Sequence, residues 1–351
     1  DGFARKYPQP MKAYPRVLSG RVDSRRIHGL RRCSPRRAGR TLEAMTAERV
    51  ASDVTSGLPA PAPVEFLSTS VGEIAVRRTS VRGAGPHEPA VLVHGLGGNS
   101  LNWVDLAEML SDRLECVSPD LPGFGATEPL ADGDFSIAAH SRAMVATIEA
   151  LFPDQPVHLF GNSMGGAVAV QVAALRPDLV RTLTLISPAL PDLKPRLSNA
   201  HIPVMAMPGV GKGLFDRYQK VGAHERVKAT FDLCFADPSR LHPQRRAEAE
   251  AEARRRDELP WLRETFVGST QSLLATYLDR GPDRPWALAG RVEAPTLLVY
   301  GRQDKLVDPK AAHRATKEFR EAHVMVIPDS GHVAQMEHPE LVDRWWREFL
   351  G

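Results

Sequence analysis

The chain is 351 residues long, 42% hydrophobic, and carries a formal net charge of +3. That length and apolar content suit one large core or two modest ones, and no apolar run approaches the roughly 18 residues a membrane span needs. The charge is uneven: residues 1–40 hold 12 Lys/Arg against two acids, and the remaining residues hold 33 Lys/Arg against 40 acids, so the basic balance belongs to the start of the chain alone.

Residues 1–63 read as a basic, disordered extension ending in a linker, Gly57-Leu58-Pro59-Ala60-Pro61-Ala62-Pro63. The twin arginines at 25–26 and 31–32 are not followed by an apolar stretch of export-signal length. Residues 1–44 are expected to be upstream or flexible sequence, with the domain starting beyond Met45. Two β-like runs follow at 64–70 and 73–79, a hairpin turning at Val71-Gly72. From there strands and helices alternate: a strand at 90–94, a helix at 99–110, a strand at 114–118, a helix at 137–152, a strand at 157–160, a helix at 164–175 and a strand at 180–186. The alternation pauses over 187–289 and resumes with a strand at 296–300, a helix from Pro309, a strand at 324–327 and a last helix at 339–350. Such alternation predicts a parallel sheet with helices on both faces. The pause reads as a helical lid, so the core is expected at 64–186 and 290–351. Inside the lid, the polar helix at 245–256 is expected to be solvated surface.

Three cysteines, Cys33, Cys116 and Cys234, are odd in number and have no C-x-x-C spacing. They support neither a disulfide framework nor a zinc site. A reducing, cytoplasmic location is expected, with peripheral membrane attachment as a second arrangement.

The chemistry concentrates in four loops. Gly161-Asn162-Ser163-Met164-Gly165-Gly166 lies between an apolar strand and a small-residue helix. A serine at so sharp a turn exposes its hydroxyl, and only small neighbours two positions either side avoid collision. Ser163 is therefore the candidate nucleophile. A serine needs a base, and His332 stands in the loop after the last strand. His338 begins the last helix, where a capping or surface role suffices. The base needs an acid to hold its tautomer. Asp304, directly after the strand at 296–300, is the first candidate and Asp192, after the strand at 180–186, the second. Acyl transfer also needs donors for a developing oxyanion. The backbone N–H groups of Leu96, in His94-Gly95-Leu96-Gly97-Gly98-Asn99, and of Met164 are the candidates. His94 is expected to hold that loop by hydrogen bonds. The glycine-rich loop lacks the spacing of a phosphate-binding loop or a dinucleotide fingerprint, so no nucleotide is expected.

These motifs, together with Asp120-Leu121-Pro122-Gly123-Phe124-Gly125, Gly301-Arg302-Gln303-Asp304 and Gly331-His332, make residues 64–351 outside the lid resemble the α/β-hydrolase superfamily. The resemblance implies an α/β fold with a mostly parallel eight-stranded sheet, a lid after strand six, and the chain order Ser163, Asp304, His332 for the triad. Two groups look nearest: monoacylglycerol lipases with carboxylesterases, and meta-cleavage-product hydrolases that cut carbon–carbon bonds. The run Gly331 to Pro339 looks like the ending of the second group, but Val333 and Met336 stand where those enzymes often have Trp. Cofactor-free haloperoxidases share the triad, and some relatives keep the fold only to bind ligands.

The expected activity is hydrolysis of a small-molecule carboxylic ester through an acyl-enzyme on Ser163, with carbon–carbon hydrolysis as the alternative. No cofactor, metal or nucleic-acid partner is expected. Candidate substrate-pocket residues are Gly95, Asn162, Met205, Met207, Phe215, Phe266, Leu273 and Val333.

Overall fold

The computed structural model describes residues 58–191, 204, 207 and 210–351. Most of the basic extension, Met205 and Asp192 lie outside these residues. Eight strands form one sheet: β1 (Glu65–Thr69), β2 (Gly72–Arg78), β3 (Glu88–Val93), β4 (Leu114–Pro119), β5 (Val157–Asn162), β6 (Val180–Ile186), β7 (Thr296–Gly301) and β8 (Ala322–Ile327). Their spatial order is β1-β2-β4-β3-β5-β6-β7-β8. The β1–β2 hairpin and the β2–β4 pair are antiparallel, and every other pair is parallel.

The central strands are apolar on both faces because helices cover both. Alternate side chains divide between two cores, as the twofold period of a strand requires. Val91, Val93, Leu159, Leu298 and Tyr300 enter one core, while Ala90, Leu92, Phe160, Leu297 and Val299 enter the other. The first is filled from α2 (Ile137–Leu151), α3 (Met164–Leu175) and α9 (Ala311–Glu318). The second is filled from α1 (Val104–Leu110) and α11 (Pro339–Leu350), which places Trp346. Helix α3 is apolar all round and almost wholly buried, as such a composition demands.

The helix expected at 99–110 is two elements, a 3-10 turn at Ser100–Trp103 and then α1. Asn99 accepts from the Leu101 N–H at 3.0 Å, and Asn102 accepts from the Asn99 N–H at 3.1 Å. The Ser100 N–H is spent on Asp120 Oδ1 at 2.7 Å. These side chains fix a tight first turn before the α-helix begins.

Between β6 and β7 the described chain forms α4 (Val210–Gln219), α5 (Ala223–Cys234), α6 (Pro243–Arg256), α7 (Leu262–Leu278) and the short α8 (Pro285–Ala289). The expectation that the arginine-rich helix, now α6, is solvated surface holds for much of its length, where Arg254 and Arg255 are exposed and pair with Glu250 and Glu252, and is corrected at the buried Arg245 and Ala253. Arg245 is 6% exposed and bonds Asp105 on α1, Glu248 and the Pro59 carbonyl. At the other end Arg255 donates to the Gly125 carbonyl at 2.6 Å and Arg256 to the Gly97 carbonyl at 2.5 Å. Arginine's long stem and fan of donors add polar docking contacts to the small alanine face, Ala249 and Ala253, that α6 packs against Val227, Phe231 and Phe235. No helix among the described residues is long and apolar enough to cross a membrane.

Candidate active site

Strand β3 leads to β4 on one side, while β5 leads to β6 on the other, and β3 and β5 are neighbours. The loops leaving their carboxyl ends therefore diverge and leave a crevice, where open parallel sheets bind ligands. Ser163 stands there between β5 and α3, with φ 54° and ψ −118°. A residue with a side chain rarely takes that conformation. Its carbonyl, accepting from Gly166, Ala167 and Ala189, is held by three amides, and its own N–H donates to the Ile186 carbonyl at 3.1 Å. A Cβ on Gly165 would overlap the carbonyl oxygens of Val93 and His94, and one on Gly161 would press on the Gly165 backbone at 2.5 Å. The tight turn thus needs both glycines.

His332 and Asp304 arrive on the loops after β8 and β7. His332 Nδ1 lies 2.9 Å from Asp304 Oδ2, both side chains being buried. Asp304 Oδ1 accepts the N–H groups of Leu306 and Val307 at 2.7 and 3.0 Å. Burial would raise the Asp304 carboxyl, but the charge and hydrogen bond of His332 and these two amides outweigh it and hold it below the ordinary carboxylate range. A carboxylate accepts, so Nδ1 carries the hydrogen and Nε2 is left to accept a proton. Asn162 links this loop to the elbow: its Nδ2 donates to the His332 carbonyl at 3.1 Å and to the Ile186 carbonyl at 3.0 Å. That amide is engaged in scaffolding, whereas the sequence offered it as pocket lining.

The loop after β3 lies against the serine. A Cβ on Gly95 would come 3.0 Å from Ser163 Cβ. Neither the Leu96 nor the Met164 N–H donates to another described residue, and Met164 opens α3, where helix amides point outward. His94 is fully buried: Nε2 accepts from the Leu121 N–H at 2.9 Å and Nδ1 donates to the Gly95 carbonyl at 2.8 Å. Burial, the largest influence, pushes its pKa down against the pull of Asp120, so the ring stays neutral. It ties the Gly95 loop to the Asp120 loop, as expected. His338 is instead buried, with its Nε2 3.1 Å from the Asp329 carbonyl, and it makes no side-chain cap.

The other pocket candidates separate. Phe215 and Phe266 stack with centroids 5.4 Å apart, and the Phe266 ring edge lies 3.1 Å from where a Gly97 Cβ would stand. Val333 packs with Phe231, Phe235 and Leu241. Leu273 joins the main core beneath the sheet face, and Met207 is 51% exposed. The structure therefore brings Gly95 against Ser163, and Phe266, with Phe215, against Gly97 of the same loop, while Val333 sits in a separate apolar cluster next to His332 in the chain. Sequence reading missed Lys305, whose Nζ donates to the Asp232 carbonyl at 2.5 Å, and Glu337, a buried carboxylate close to His332 in the chain. Neither left a signal in the sequence, because their partners lie in the insertion.

The family model for the alpha/beta hydrolase fold matches residues 89–339. The chain is 30% identical over 87% of its length to the dihydrolipoyllysine-residue acetyltransferase component of an acetoin cleaving system from Pseudomonas putida, spanning 73% of that protein. It is 27% identical to lipase 1 of Psychrobacter immobilis, over 78% of this chain and 80% of the lipase. It is also 27% identical to a 2-hydroxy-6-oxononadienedioate/2-hydroxy-6-oxononatrienedioate hydrolase from Cupriavidus pinatubonensis, over 82% and 94% of the two chains. Among solved structures, an esterase from Thermogutta terrifontis superimposes with a TM-score of 0.62 at 24% identity, covering 82% of this chain and 98% of the esterase. The sheet order, the strained serine between β5 and α3 and the matched region lead to one conclusion: the chain belongs to the alpha/beta hydrolase fold family.

Proposed function

We propose that the protein is a serine hydrolase that cleaves carboxylic esters through an acyl-enzyme on Ser163. The observation that carries this reading is the strained Ser163, packed against Gly95, in a fold that also buries a His332–Asp304 hydrogen-bonded pair. In the proposed reaction His332 Nε2 takes the Ser163 proton as the oxygen attacks the acyl carbonyl. Asp304 stabilises the imidazolium without taking its proton. The Leu96 and Met164 N–H groups receive the oxyanion, a contribution of about 3 kcal/mol per donor in such sites. His332 then protonates the departing alcohol, and water attacks the acyl-enzyme with the same histidine as base. The helices α4 to α7 act as the lid, and Phe215, Phe266 and Val333 bound the acyl side. No step calls for a metal or organic cofactor.

Carbon–carbon hydrolysis is the second reading, favoured by the 27% identity to the nonadienedioate hydrolase of Cupriavidus pinatubonensis. Purified protein is to be assayed against p-nitrophenyl esters from acetate to palmitate and against a 2-hydroxy-6-oxo-dienoate. The ester reading expects Ser163-dependent release of p-nitrophenol with an optimum at one chain length. Dienoate cleavage with poor ester turnover would transfer the protein to the second reading. In either case Ser163→Ala is expected to lower kcat by at least ~10⁴-fold while leaving the fold intact.

A further inference from the structure

A buried carboxylate outside the triad joins two parts of the site. Glu337 ends a single helical turn, α10 (Ala334–Glu337), which folds the chain back toward His332. It is 2% exposed. Its Oε2 accepts the Gly331 N–H at 2.6 Å and the Ser330 hydroxyl at 3.3 Å. Its Oε1 accepts the Asp237 N–H at 2.8 Å. Gly331 immediately precedes His332, and Asp237 lies in the chain that follows α5 in the insertion. One carboxylate thus holds the histidine loop with one oxygen and the insertion with the other.

The same two segments meet at further points. The His332 N–H donates to the Cys234 carbonyl at 2.6 Å, and Arg240 Nε donates to the Glu337 carbonyl at 2.9 Å. A Cβ on Gly331 would overlap the Cys234 carbonyl oxygen. Lys305, beside Asp304, bonds the Asp232 carbonyl. The insertion from 232 to 240 is therefore pinned to the loops of both the base and the acid. Glu337 is the side chain whose carboxylate touches histidine loop and insertion together. Its donors are two backbone amides and a hydroxyl. A buried carboxylate on neutral donors is a costly way to end a helical turn, whereas it supplies two acceptors at a fixed spacing.

We propose that Glu337 is a positioning residue that clamps the His332 loop to the insertion segment 234–237 and so sets where the imidazole stands over Ser163. The proposal rests on the reading of Ser163 and His332 as nucleophile and base. Glutamine fills the same volume but offers one acceptor oxygen and one NH2 group. In either orientation it turns a donor toward the Gly331 or the Asp237 amide, so only one half of the clamp survives.

The test compares wild type, Glu337→Gln, Glu337→Asp and Ser163→Ala on the preferred p-nitrophenyl ester, with kcat referred to folded protein measured by tryptophan fluorescence. Glu337→Gln is expected to lose kcat on the order of 100-fold, as a displacement of about 1 Å does, with KM nearly unchanged. The rate of fluorophosphonate labelling at Ser163 should slow in parallel. Glu337→Asp keeps both acceptors and should recover part of the loss; it also carries the test if the glutamine variant fails to fold. An unchanged kcat per folded molecule, with only a lowered melting temperature, would overturn the proposal, because it would make Glu337 a packing residue. If Ser163→Ala turned over at the wild-type rate, the catalytic reading itself would fail, an outcome separate from the first.

Discussion

Ser163 is held in a conformation that most side-chain-bearing residues avoid, and the residues around it explain how. The glycines at 161 and 165 remove the two Cβ atoms that would push the elbow open, and three amides hold the Ser163 carbonyl. Gly165→Ala is expected to cost at least ~2 kcal/mol in urea denaturation, because the neighbouring atoms are strand backbone and cannot yield as a flexible side chain would. This much could be read from the sequence, since G-x-S-x-G between a strand and a helix has one steric meaning. The pairing of Asp304 with His332 could be read in the same way, as each follows a strand in a parallel sheet and so projects from the same edge. Asp304→Asn should leave the protein folded and lower kcat by about 10⁴-fold, because an amide can donate to Nδ1 and hold the wrong tautomer. Glu337 was not readable, because its partners Asp237 and Gly331 come from segments whose meeting depends on how the insertion docks.

Titration of buried histidines gives a second residue-scale prediction. His140 lies in α2 beside Ser269, and burial lowers its pKa to about 3. The unfolded chain takes up that proton near the ordinary value of about 6.5. Between these values the unfolded state binds more protons, so stability falls as the pH drops through that window. His140→Gln should flatten the dependence of unfolding free energy on pH between about 6 and 4, measured by urea titration at each pH. An equal slope in variant and wild type would mean that the ring is protonated in the folded state.

At the scale of elements, the strands and core helices followed from apolar periodicity and the arginine-rich helix from its composition, but the docking of the insertion did not. A helix reading Pro-Gln-Arg-Arg-Ala-Glu-Ala-Glu-Ala-Glu-Ala-Arg-Arg-Arg has only small alanines, and no large apolar residue, to announce a docked face. It docks through two alanines, Ala249 and Ala253, against Val227, Phe231 and Phe235, and through charge and carbonyl contacts: Arg245 against Asp105 at one end, Arg255 and Arg256 against glycine loops at the other. Periodicity reports where apolar surface is buried, so it is silent about a helix held by guanidinium groups. Arg245→Met should destabilise the protein by about 2 kcal/mol, since it leaves Asp105 and the Pro59 carbonyl without their donor. A change in melting temperature of less than a degree would show that the contacts at this end contribute nothing. The 3-10 turn after β3 has a comparable cause, because the side chains of Asn99, Asn102 and Asp120 decide it rather than any repeating pattern.

Across the whole molecule, the order of the strands decides where chemistry can occur. Parallel strands send their loops to one edge, and the change of direction between β3 and β5 opens that edge beside Ser163. The alternation of strands and helices carried the parallel sheet, whereas the order of its strands was not read from it. The sequence did not carry the substrate. Phe215 and Phe266 come from insertion helices that carry no motif, and Val333 packs with Phe231, Phe235 and Leu241 of that same insertion.

The central claim is that Ser163 is an activated nucleophile. The most direct test is to treat the purified protein with a fluorophosphonate probe at neutral pH and locate the adduct by peptide mass spectrometry, with His332→Ala and Ser163→Ala in parallel. The account predicts a single adduct on the peptide containing Ser163, strongly slowed labelling in the histidine variant and none in the serine variant. Absence of labelling in the wild-type protein, or labelling that is equally fast without His332, would contradict it.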